Sequence, residues 1–377
     1  MNINDAKRIV FKFGTNVLRN DEGEISLSRI YSFIEDISKL HKQGKEIIIV
    51  TSGAVGLGAK RLNVNSSDGL SVKQACAAVG QCQLMSIYED GFNKYSINTA
   101  QILLTEDDFS NRIKYLSLNN VLNTLLDLKV VPVINQNDTV STAELSESGN
   151  PLYGVSFSDN DKLSALVASK LDADLLVILS DINGLYTDNP KENPDAELIS
   201  EVKSVTTEIE KFARSASKGG RGGMKTKLEA AKVVTHSGGY VKIANGKEPQ
   251  IIRRLFSFEQ LGTTFFPSEV FSQKRRWIAY ATNITGQIIV NIGAKNAVVD
   301  ENKSLLAIGI TQIKGFFSHG DVVSILDENN NEIARGIANY NSDDCKKIMG
   351  EHSDNIYQIL GHKNYDAVIT KDNIAIL

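Results

Sequence analysis

Two kinds of apolar pattern alternate from the amino terminus to about residue 261. Short apolar runs have the length of strands that are covered on both faces. Between them, apolar residues recur three and four positions apart, which predicts helices with one buried stripe. The predicted strands span residues 8–13, 46–50, 98–105, 130–134, 175–179 and 239–244. This alternation indicates an α/β fold, an open and mainly parallel sheet sandwiched by helices, with right-handed crossovers.

The helices are predicted from the spacing of leucine, isoleucine and valine. In the first of them, residues 27–40, Ser26 or Ser28 supplies the N-cap and Gly44 ends the helix. Further helices are expected at residues 71–95, 115–128, 163–171 and 228–235. Each of these lies between two predicted strands, as a βαβ architecture requires.

The pattern changes beyond residue 276. Short strand candidates separated by turns span residues 284–290, 297–299, 309–317, 321–326 and 332–340, and a short helix candidate spans 342–349. We predict an α/β domain over residues 1–262, a linker over 263–276 and a small β-rich domain with its tail over 277–377. From Arg276 onward, 9 Lys/Arg stand against 12 Asp/Glu, a balance of −3, which disfavours RNA binding by this domain.

Composition narrows the function classes. The 377 residues are 42% apolar with a net charge of −4, so the chain can bury large cores and has no general attraction for nucleic acid or anionic membranes. Its three cysteines form no CxxC pair, which argues against a thiolate metal site and fits a reducing compartment. The amino terminus is polar, and no apolar run approaches the roughly 18 residues of a membrane span. We expect a cytoplasmic protein without membrane contact.

Polar residues gather at or just beyond the carboxyl ends of the predicted strands, where open α/β sheets bind ligands. The residues concerned are Lys12, Ser52, Asn137, Asp138, Ser180 and Asp181. Each group taken alone also fits an ordinary turn or an Asx turn. Because the carboxyl ends of parallel strands share one edge of the sheet, the groups together predict a single site.

A glycine-rich, cationic segment precedes the last helix of the α/β domain. Residues 218–227 contain four glycines and four cations. Free amides at a helix start, the helix dipole and lysine side chains all favour an anion such as a phosphate. A flexible linker is the alternative interpretation, which the helix that follows at once disfavours. The chain has no GxxxxGK[ST] motif, and the glycines of residues 51–58 do not form GxGxxG, so a P-loop is excluded and a dinucleotide site is disfavoured.

The chemistry that these residues support is phosphoryl transfer. Asp159, Asp161 and Asp181 supply carboxylates for Mg²⁺, and Lys12 and Lys227 supply positive charge for phosphates. The polar pocket beyond the second and fourth strands is suited to a small acceptor. No nucleophile–base pair stands out, and transfer between two bound substrates needs alignment and charge neutralisation instead.

At this point the motifs resemble the glutamate 5-kinases, a family of the amino acid kinase superfamily with a C-terminal PUA domain. The resemblance covers essentially the whole chain, with six motifs in order at matching spacing. They are VFKFGT (residues 10–15), VTSGA (50–54), PVINQND (132–138), SDNDKLSA (158–165), SDINGLYT (180–187) and GGMKTK (222–227). Weaker marks are RWI (276–278) and YNS (340–342).

The resemblance implies ATP-dependent phosphorylation of the γ-carboxylate of L-glutamate, the first step of proline synthesis. It implies that Lys12 and Lys227 neutralise the transferring phosphoryl group while Asp161 holds both lysines. It implies that glutamate is bound by Ser52, Asp138 and Asn160. It implies that ATP is bound by Lys12, Ser180, Asp181, Arg221, Gly222, Gly223, Met224, Lys225, Thr226 and Lys227. Mg²⁺ would bridge the phosphates, with Asp159 and Asp161 as the candidate protein ligands.

The resemblance also implies partners. They are a second copy in a homodimer or homotetramer, L-proline as inhibitor, and a downstream glutamyl phosphate reductase that receives the labile product. Gln136 stands where the family often has Glu, beside the glutamate and proline region, and therefore bears on proline sensitivity. Two alternatives are a kinase of another small acid, such as acetylglutamate or carbamate, and an RNA-binding protein. The β-rich domain disfavours the first and its acidic charge the second.

Overall fold

The computed structural model describes residues 3–140, 160–190, 192–215, 223–257, 259–268 and 270–377. The chain divides into two compact units. The first contains most of the described residues up to Val270, and the second consists chiefly of Phe271–Leu377. None of the described helices is long and apolar enough to cross a bilayer.

The first unit is organised on a large sheet. Its strands are β1 (Arg8–Phe13), β2 (Glu46–Val50), β3 (Thr99–Leu104), β4 (Val131–Gln136), β5 (Leu175–Ser180), β6 (Leu185–Tyr186), β7 (Leu198–Ile199), β8 (Glu201–Val202), β9 (Tyr240–Asn245) and β10 (Thr263–Phe265). Eight of them pair in the order β3-β4-β2-β1-β5-β9-β10-β8, and β6 pairs with β7 in a separate ribbon. The neighbours in the large sheet are parallel except β9 and β10. The predicted α/β class is confirmed.

Helices lie between the strands of the first unit. They are α1 (Leu27–Lys42), α2 (Ala54–Leu62), α3 (Leu70–Asn93), α4 (Glu106–Ser110), α5 (Arg112–Asp127), α6 (Asn160–Lys170), α7 (Thr207–Ser215), α8 (Met224–Thr235) and α9 (Ile251–Leu255). The apolar spacing predicts α1, α3, α5, α6 and α8, whereas α2, α4, α7 and α9 were not predicted. Helix α1 buries one stripe, including Ile30, Ile34 and Ile37, in the same core as Phe11 and Phe13 of β1. This core fixes β1 at the centre of the sheet, and β1 carries the first site residue.

Helices α2 and α3 cross at close range through glycine. A Cβ atom at Gly58 would collide with the carbonyl of Cys76, and one at Gly80 with the carbonyl of Ala54. Neither glycine has a positive φ, so the absence of a side chain is needed for space and not for backbone conformation. The crossing therefore holds the start of α2, directly after β2, against α3.

The second unit has its own sheet and core. Its strands are β11 (Gly286–Val290), β12 (Ile310–Gly315), β13 (Val322–Leu326), β14 (Glu332–Ile337) and β15 (Ile374–Ile376). They pair in the order β12-β11-β13-β14-β15. Its helices are α10 (Gln273–Arg276), α11 (Ile292–Val299), α12 (Ser342–Ile348) and α13 (Ile356–Leu360). The predicted β-rich character of this part is confirmed.

Several segments differ from the sequence-based prediction, and three of them concern residues beyond 262. Residues 297–299, predicted as a strand, are the end of helix α11, because Asn291 caps the helix by accepting a hydrogen bond from the amide of Ala294 at 2.8 Å. The C-terminal strand β15 was not predicted, since three residues carry no readable period. The segment predicted as a linker, residues 263–276, contains β10 of the large sheet and helix α10. The domain limits themselves stay predictions.

The close crossing of α2 and α3 makes Gly80 intolerant of a side chain. We expect Gly80→Ala to lower the free energy of unfolding by about 1–3 kcal/mol, because helix backbone must move to admit the methyl group. Gly91→Ala in the same helix is the matched control, since the atoms that its Cβ would meet belong to the side chains of Ile34 and Tyr31 and not to the backbone. Urea unfolding followed by circular dichroism measures both, and equal losses would contradict the packing argument.

Candidate active site

Three buried charged side chains from three separate elements meet at the carboxyl edge of the large sheet. The Nζ atom of Lys12 lies 2.5 Å from Oδ1 of Asp161, and Nζ of Lys227 lies 3.1 Å from Oδ2. The exposed fractions of the three residues are 3% for Lys12, 0% for Asp161 and 4% for Lys227. Two ammonium groups thus share one carboxylate in a place that water scarcely reaches.

Each member of this cluster is placed by its element. Lys12 is the polar residue in the otherwise apolar, buried stretch of β1. Asp161 is the second residue of α6, and Lys227 lies in the first turn of α8. Thr226 adds a hydroxyl that donates to Oδ2 of Asp161 at 3.0 Å. Strand β1 and the starts of two helices therefore converge on one carboxylate.

The charge of Asp161 is maintained against the cost of burial. Removal from water alone would raise the pKa of this carboxyl group, but the charges of Lys12 and Lys227 outweigh that effect and hold its pKa at about 2. Hydrogen bonds from both lysines act in the same direction. Two lysines and one carboxylate give the cluster a formal charge of +1, which suits the binding of an anion.

A second carboxylate lies beyond the end of β5. Asp181 accepts hydrogen bonds from Nδ2 of Asn16 at 3.0 Å and from the hydroxyl of Ser180 at 3.2 Å. Burial opposes its ionisation, but these hydrogen bonds and the charge of Lys227 keep its pKa below the usual range. Asp181 is therefore an anion within electrostatic reach of the lysine cluster.

A polar cavity of about 300 Å³ lies at the carboxyl ends of β2 and β4. The hydroxyl of Ser52 lines it and donates to the carbonyl of Phe13 at 2.8 Å, while Thr15 donates to Ser52 at 3.2 Å. Because Phe13 directly follows Lys12, this bond ties the cavity wall to the lysine cluster. Asp138 also lines the cavity.

Asn160 forms the other link between cavity and cluster. It lines the cavity, donates to the carbonyl of Thr51 at 2.7 Å and to Oδ1 of Asn135 at 3.2 Å, and immediately precedes Asp161. Its Oδ1 atom is buried and has no hydrogen-bond partner in the described part of the chain. A buried amide oxygen without a partner is costly, which points to a donor supplied by a ligand.

The structure places some of the sequence-predicted site residues in the lysine cluster, some in the cavity wall and others in neither. Lys12, Asp161 and Lys227 form the cluster, and Ser52, Asp138 and Asn160 line the cavity. Gly223 caps α8, whereas the side chain of Lys225 is 72% exposed and lies 3.8 Å from Glu229. The predicted residues outside the described ranges are Asp159, Arg221 and Gly222. The binding and catalytic roles of all of them stay predictions.

Sequence reasoning missed residues that complete the cavity. Asn135 donates to Oε1 of Gln81 at 3.0 Å, so a side chain from the middle of α3 supports the site. Arg19 and Lys73 are cations in the cavity wall. Gln81 and Lys73 carry no motif signal, because their spacing is that of an ordinary helix. Arg19 follows the VFKFGT motif too distantly to be read as part of it.

Comparison with known proteins identifies the family to which the chain is similar. Residues 7–245 match the model of the amino acid kinase family, and residues 286–360 match that of the PUA domain. Glutamate 5-kinase from Caldanaerobacter subterraneus subsp. tengcongensis is 42% identical over 373 residues, which are 98% of this chain and 98% of that protein. Glutamate 5-kinase from Methanosarcina barkeri is 43% identical over 385 residues, covering 100% of this chain and 98% of that protein.

A solved structure is also similar at a greater distance. Carbamate kinase from Giardia lamblia bound to AMP-PNP gives a TM-score of 0.49 at 16% identity, covering 70% of this chain and 99% of that chain. This likeness is too remote to add to the assignment.

The family match over most of the first unit, together with the sheet and the buried lysines, defines a kinase of the amino acid kinase family. Within it, the chain belongs to the glutamate 5-kinase family, with a C-terminal PUA domain.

Loss of the shared carboxylate should destabilise the first unit strongly. We expect Asp161→Asn to lower the free energy of unfolding by about 3–5 kcal/mol, because two buried ammonium groups lose their counter-charge. Glu24→Gln is the control, since it removes one carboxylate from an exposed ion pair with Lys60 and should cost less than about 1 kcal/mol. Urea unfolding at pH 7 measures both, and comparable losses would contradict a stabilising role for the cluster.

The stability difference between the wild-type protein and Asp161→Asn should depend on pH. The pKa of Asp161 is lowered in the folded state from 3.8 to about 2, so its contribution is present above the unfolded value and is lost as the pH falls through the folded one. The stability difference between the wild-type protein and Asp161→Asn should therefore shrink between about pH 4 and pH 2. A difference that stays constant over that range would show that the charge of Asp161 is not what stabilises the fold.

Proposed function

We propose that this protein transfers the γ-phosphoryl group of ATP to the γ-carboxylate of L-glutamate. A γ-carboxylate oxygen attacks the γ-phosphorus, the bond to the bridging oxygen of ADP breaks, and γ-glutamyl phosphate forms as the first product of proline synthesis. The observation that carries this proposal is the buried Lys12–Asp161–Lys227 cluster beside a polar cavity. The similarity to proteins named Glutamate 5-kinase, which extends over nearly the whole chain, supports the choice of acceptor.

The lysine cluster supplies what phosphoryl transfer demands of a protein. Charge spreads over the oxygens of the migrating group in the transition state, and fixed positive groups in a dry site stabilise it well. Lys12 and Lys227 are both buried and held in place by Asp161, so their ammonium groups need little reorganisation. No proton has to move, because the acceptor is already a carboxylate.

Mg²⁺ enters this proposal with ATP and not as an ion held by the protein alone. The described residues contain no group of three or more His, Cys, Asp or Glu side chains that could hold a metal ion. The two oxygens of Asp161 already accept from Lys12, Lys227 and Thr226, which does not fit direct ligation by this carboxylate. Kinases commonly hold Mg²⁺ chiefly through substrate phosphates.

The cavity suits an amino acid as acceptor. Asp138 is an acidic lining residue that can take the ammonium group, and Ser52 and Asn160 supply polar contacts next to the lysine cluster. Its volume of about 300 Å³ is at the lower end of the range for ligand pockets. A glutamate bound by its amino-acid head in this cavity would direct its γ-carboxylate toward Lys12 and Lys227.

Other parts of the proposal follow from membership of the family alone. We include in it a cytoplasmic location, assembly into a homodimer or homotetramer, and transfer of the labile product to a glutamyl phosphate reductase. We also include inhibition by L-proline in the glutamate region, where Gln136 lines the cavity.

A hydroxylamine-trapping assay tests the acceptor. With Mg-ATP and hydroxylamine we expect hydroxamate from L-glutamate and none from N-acetyl-L-glutamate, because the acetyl group removes the ammonium charge that Asp138 would bind. Product from N-acetyl-L-glutamate alone would keep the phosphoryl chemistry and reject glutamate. Absence of product from both acceptors would reject the proposed function.

L-proline added to the same assay tests regulation. We expect it to reduce hydroxamate formation and to raise the apparent KM for glutamate, since the two would compete for one cavity. An unchanged rate at a saturating excess of proline would reject the inhibition. D-proline serves as the control compound of equal charge and size.

Removal of Lys227 tests the catalytic cluster. Lys227→Ala should lower kcat by about 100-fold or more with little change in KM for glutamate, because its charge acts mainly on the transition state. Lys232→Ala is the control on the same helix. The ammonium group of Lys232 pairs with Glu210 at 2.5 Å and is not part of the cluster. Steady-state kinetics with both substrates varied measures the effect, and an intact kcat in Lys227→Ala would remove this residue from the mechanism.

A further inference from the structure

We infer that Arg19 binds the α-carboxylate of the acceptor and so selects an α-amino acid over other acids that carry a terminal carboxylate. This inference rests on the proposed function, since it assigns one more contact at the same acceptor site. Arg19 lines the cavity together with Ser52, Asp138 and Asn160.

Helix α2 is shaped to admit the guanidinium group. A Cβ atom at Gly56 would overlap Nη2 of Arg19 and would lie 3.2 Å from its Cζ atom. Gly56 has no positive φ, and glycine is less favourable than alanine in a helix. The cost is explained if the glycine makes room for a functional side chain, which then rests on the helix surface beside the cavity.

The backbone that carries Arg19 is fixed on both sides. Its carbonyl accepts a hydrogen bond from Nη1 of Arg29 at 2.8 Å, and Arg19 forms an isolated antiparallel bridge with Ile25. The amide of Ser26 donates to the carbonyl of Leu18 at 2.8 Å. The guanidinium group therefore projects from a position that little chain motion can change, as a specificity contact requires.

The charge of Arg19 is not neutralised by an acidic side chain in the described part of the chain. The nearby carboxylate of Glu24 pairs instead with Lys60. Asp138, the acidic member of the cavity wall, has an interaction of its own, as does the other cation of the wall, Lys73. Among the described wall residues, Arg19 is thus the cation that has its donors available for a ligand.

The distribution of charge matches the three charged groups of glutamate. The γ-carboxylate belongs with Lys12 and Lys227, where the phosphoryl group arrives, and the ammonium group belongs with Asp138. This leaves the α-carboxylate for a cation in the cavity wall. The planar fork of arginine matches a carboxylate through two parallel hydrogen bonds, which a lysine cannot reproduce.

The experiment compares two acceptors in variants of Arg19. L-isoglutamine keeps the γ-carboxylate and the ammonium group of glutamate but has a neutral carboxamide in place of the α-carboxylate. We expect the wild-type protein to prefer glutamate in kcat/KM. Arg19→Gln should lower kcat/KM for glutamate by about 10-fold to 100-fold, mainly through KM, and should affect isoglutamine little. The preference for glutamate should therefore collapse, while the KM for ATP stays unchanged.

Two further variants protect the test from an effect on folding. Arg19→Lys keeps the charge without the fork and should recover part of the preference. Gly56→Ala leaves Arg19 in the chain but displaces its guanidinium group, and it should weaken the preference in the same direction as Arg19→Gln. Arg61→Gln is the matched control, because it removes an equal charge from an exposed position of the same helix and should leave the preference intact.

The outcomes separate this inference from the proposed function. A wild-type protein that phosphorylates glutamate, with an unchanged preference over isoglutamine in both Arg19→Gln and Gly56→Ala, would overturn the role of Arg19 alone. A wild-type protein that phosphorylates neither acceptor would overturn the proposed function, and the role of Arg19 with it. A loss of activity equal for both acceptors in Arg19→Gln would also overturn the inference, because it would mark a structural residue.

Discussion

One carboxylate shared by two buried ammonium groups constrains the whole first unit. Asp161 has no exposed surface, and a charge so placed is tolerated only when its partners are in position. Those partners come from β1 and from the start of α8, so a strand at the centre of the sheet and two helix starts must meet within about 3 Å. The fold is therefore required to assemble the site in order to satisfy this charge. The excess positive charge that remains makes the assembled site attractive to a phosphate.

The constraint extends from the cluster to the cavity through neighbouring residues. Asn160 precedes Asp161 and bonds to the backbone that follows β2, and Phe13, which follows Lys12, accepts from Ser52. The lysine cluster and the polar cavity are thus connected by single peptide steps at two points. A shift of α6 or β1 would move both together, so the proposed transfer between two bound substrates would keep the alignment that it depends on. Under the proposed function, the geometry ties substrate alignment to the stability of the buried charge.

Much of this arrangement could be predicted from the sequence, for a physical reason. A buried parallel sheet requires continuous apolar runs, and ligands bind at the carboxyl ends of its strands. Polar residues at or just beyond those ends, such as Lys12, Ser52 and Ser180, could therefore be predicted as candidates. Helix α11 was mistaken in part for a strand because three apolar residues at its end have no period of their own, while its cap, Asn291, lies six positions upstream of that run. Gln81 was missed because a glutamine on a helix gives no sign of the asparagine that it meets across the structure.

Glycines inside helices were a sequence signal for close contacts that was not used. Gly56, Gly58 and Gly80 lack the positive φ that explains glycine in turns, so each reports a close approach by another group. At Gly58 and Gly80 the approaching group is the backbone of the facing helix, and the gain is packing. At Gly56 it is the guanidinium of Arg19. This group is the far end of a flexible side chain, so the overlap constrains position 56 only while Arg19 is held beside the cavity. The glycine at position 56 therefore matters to the extent that a ligand of Arg19 holds the guanidinium in place.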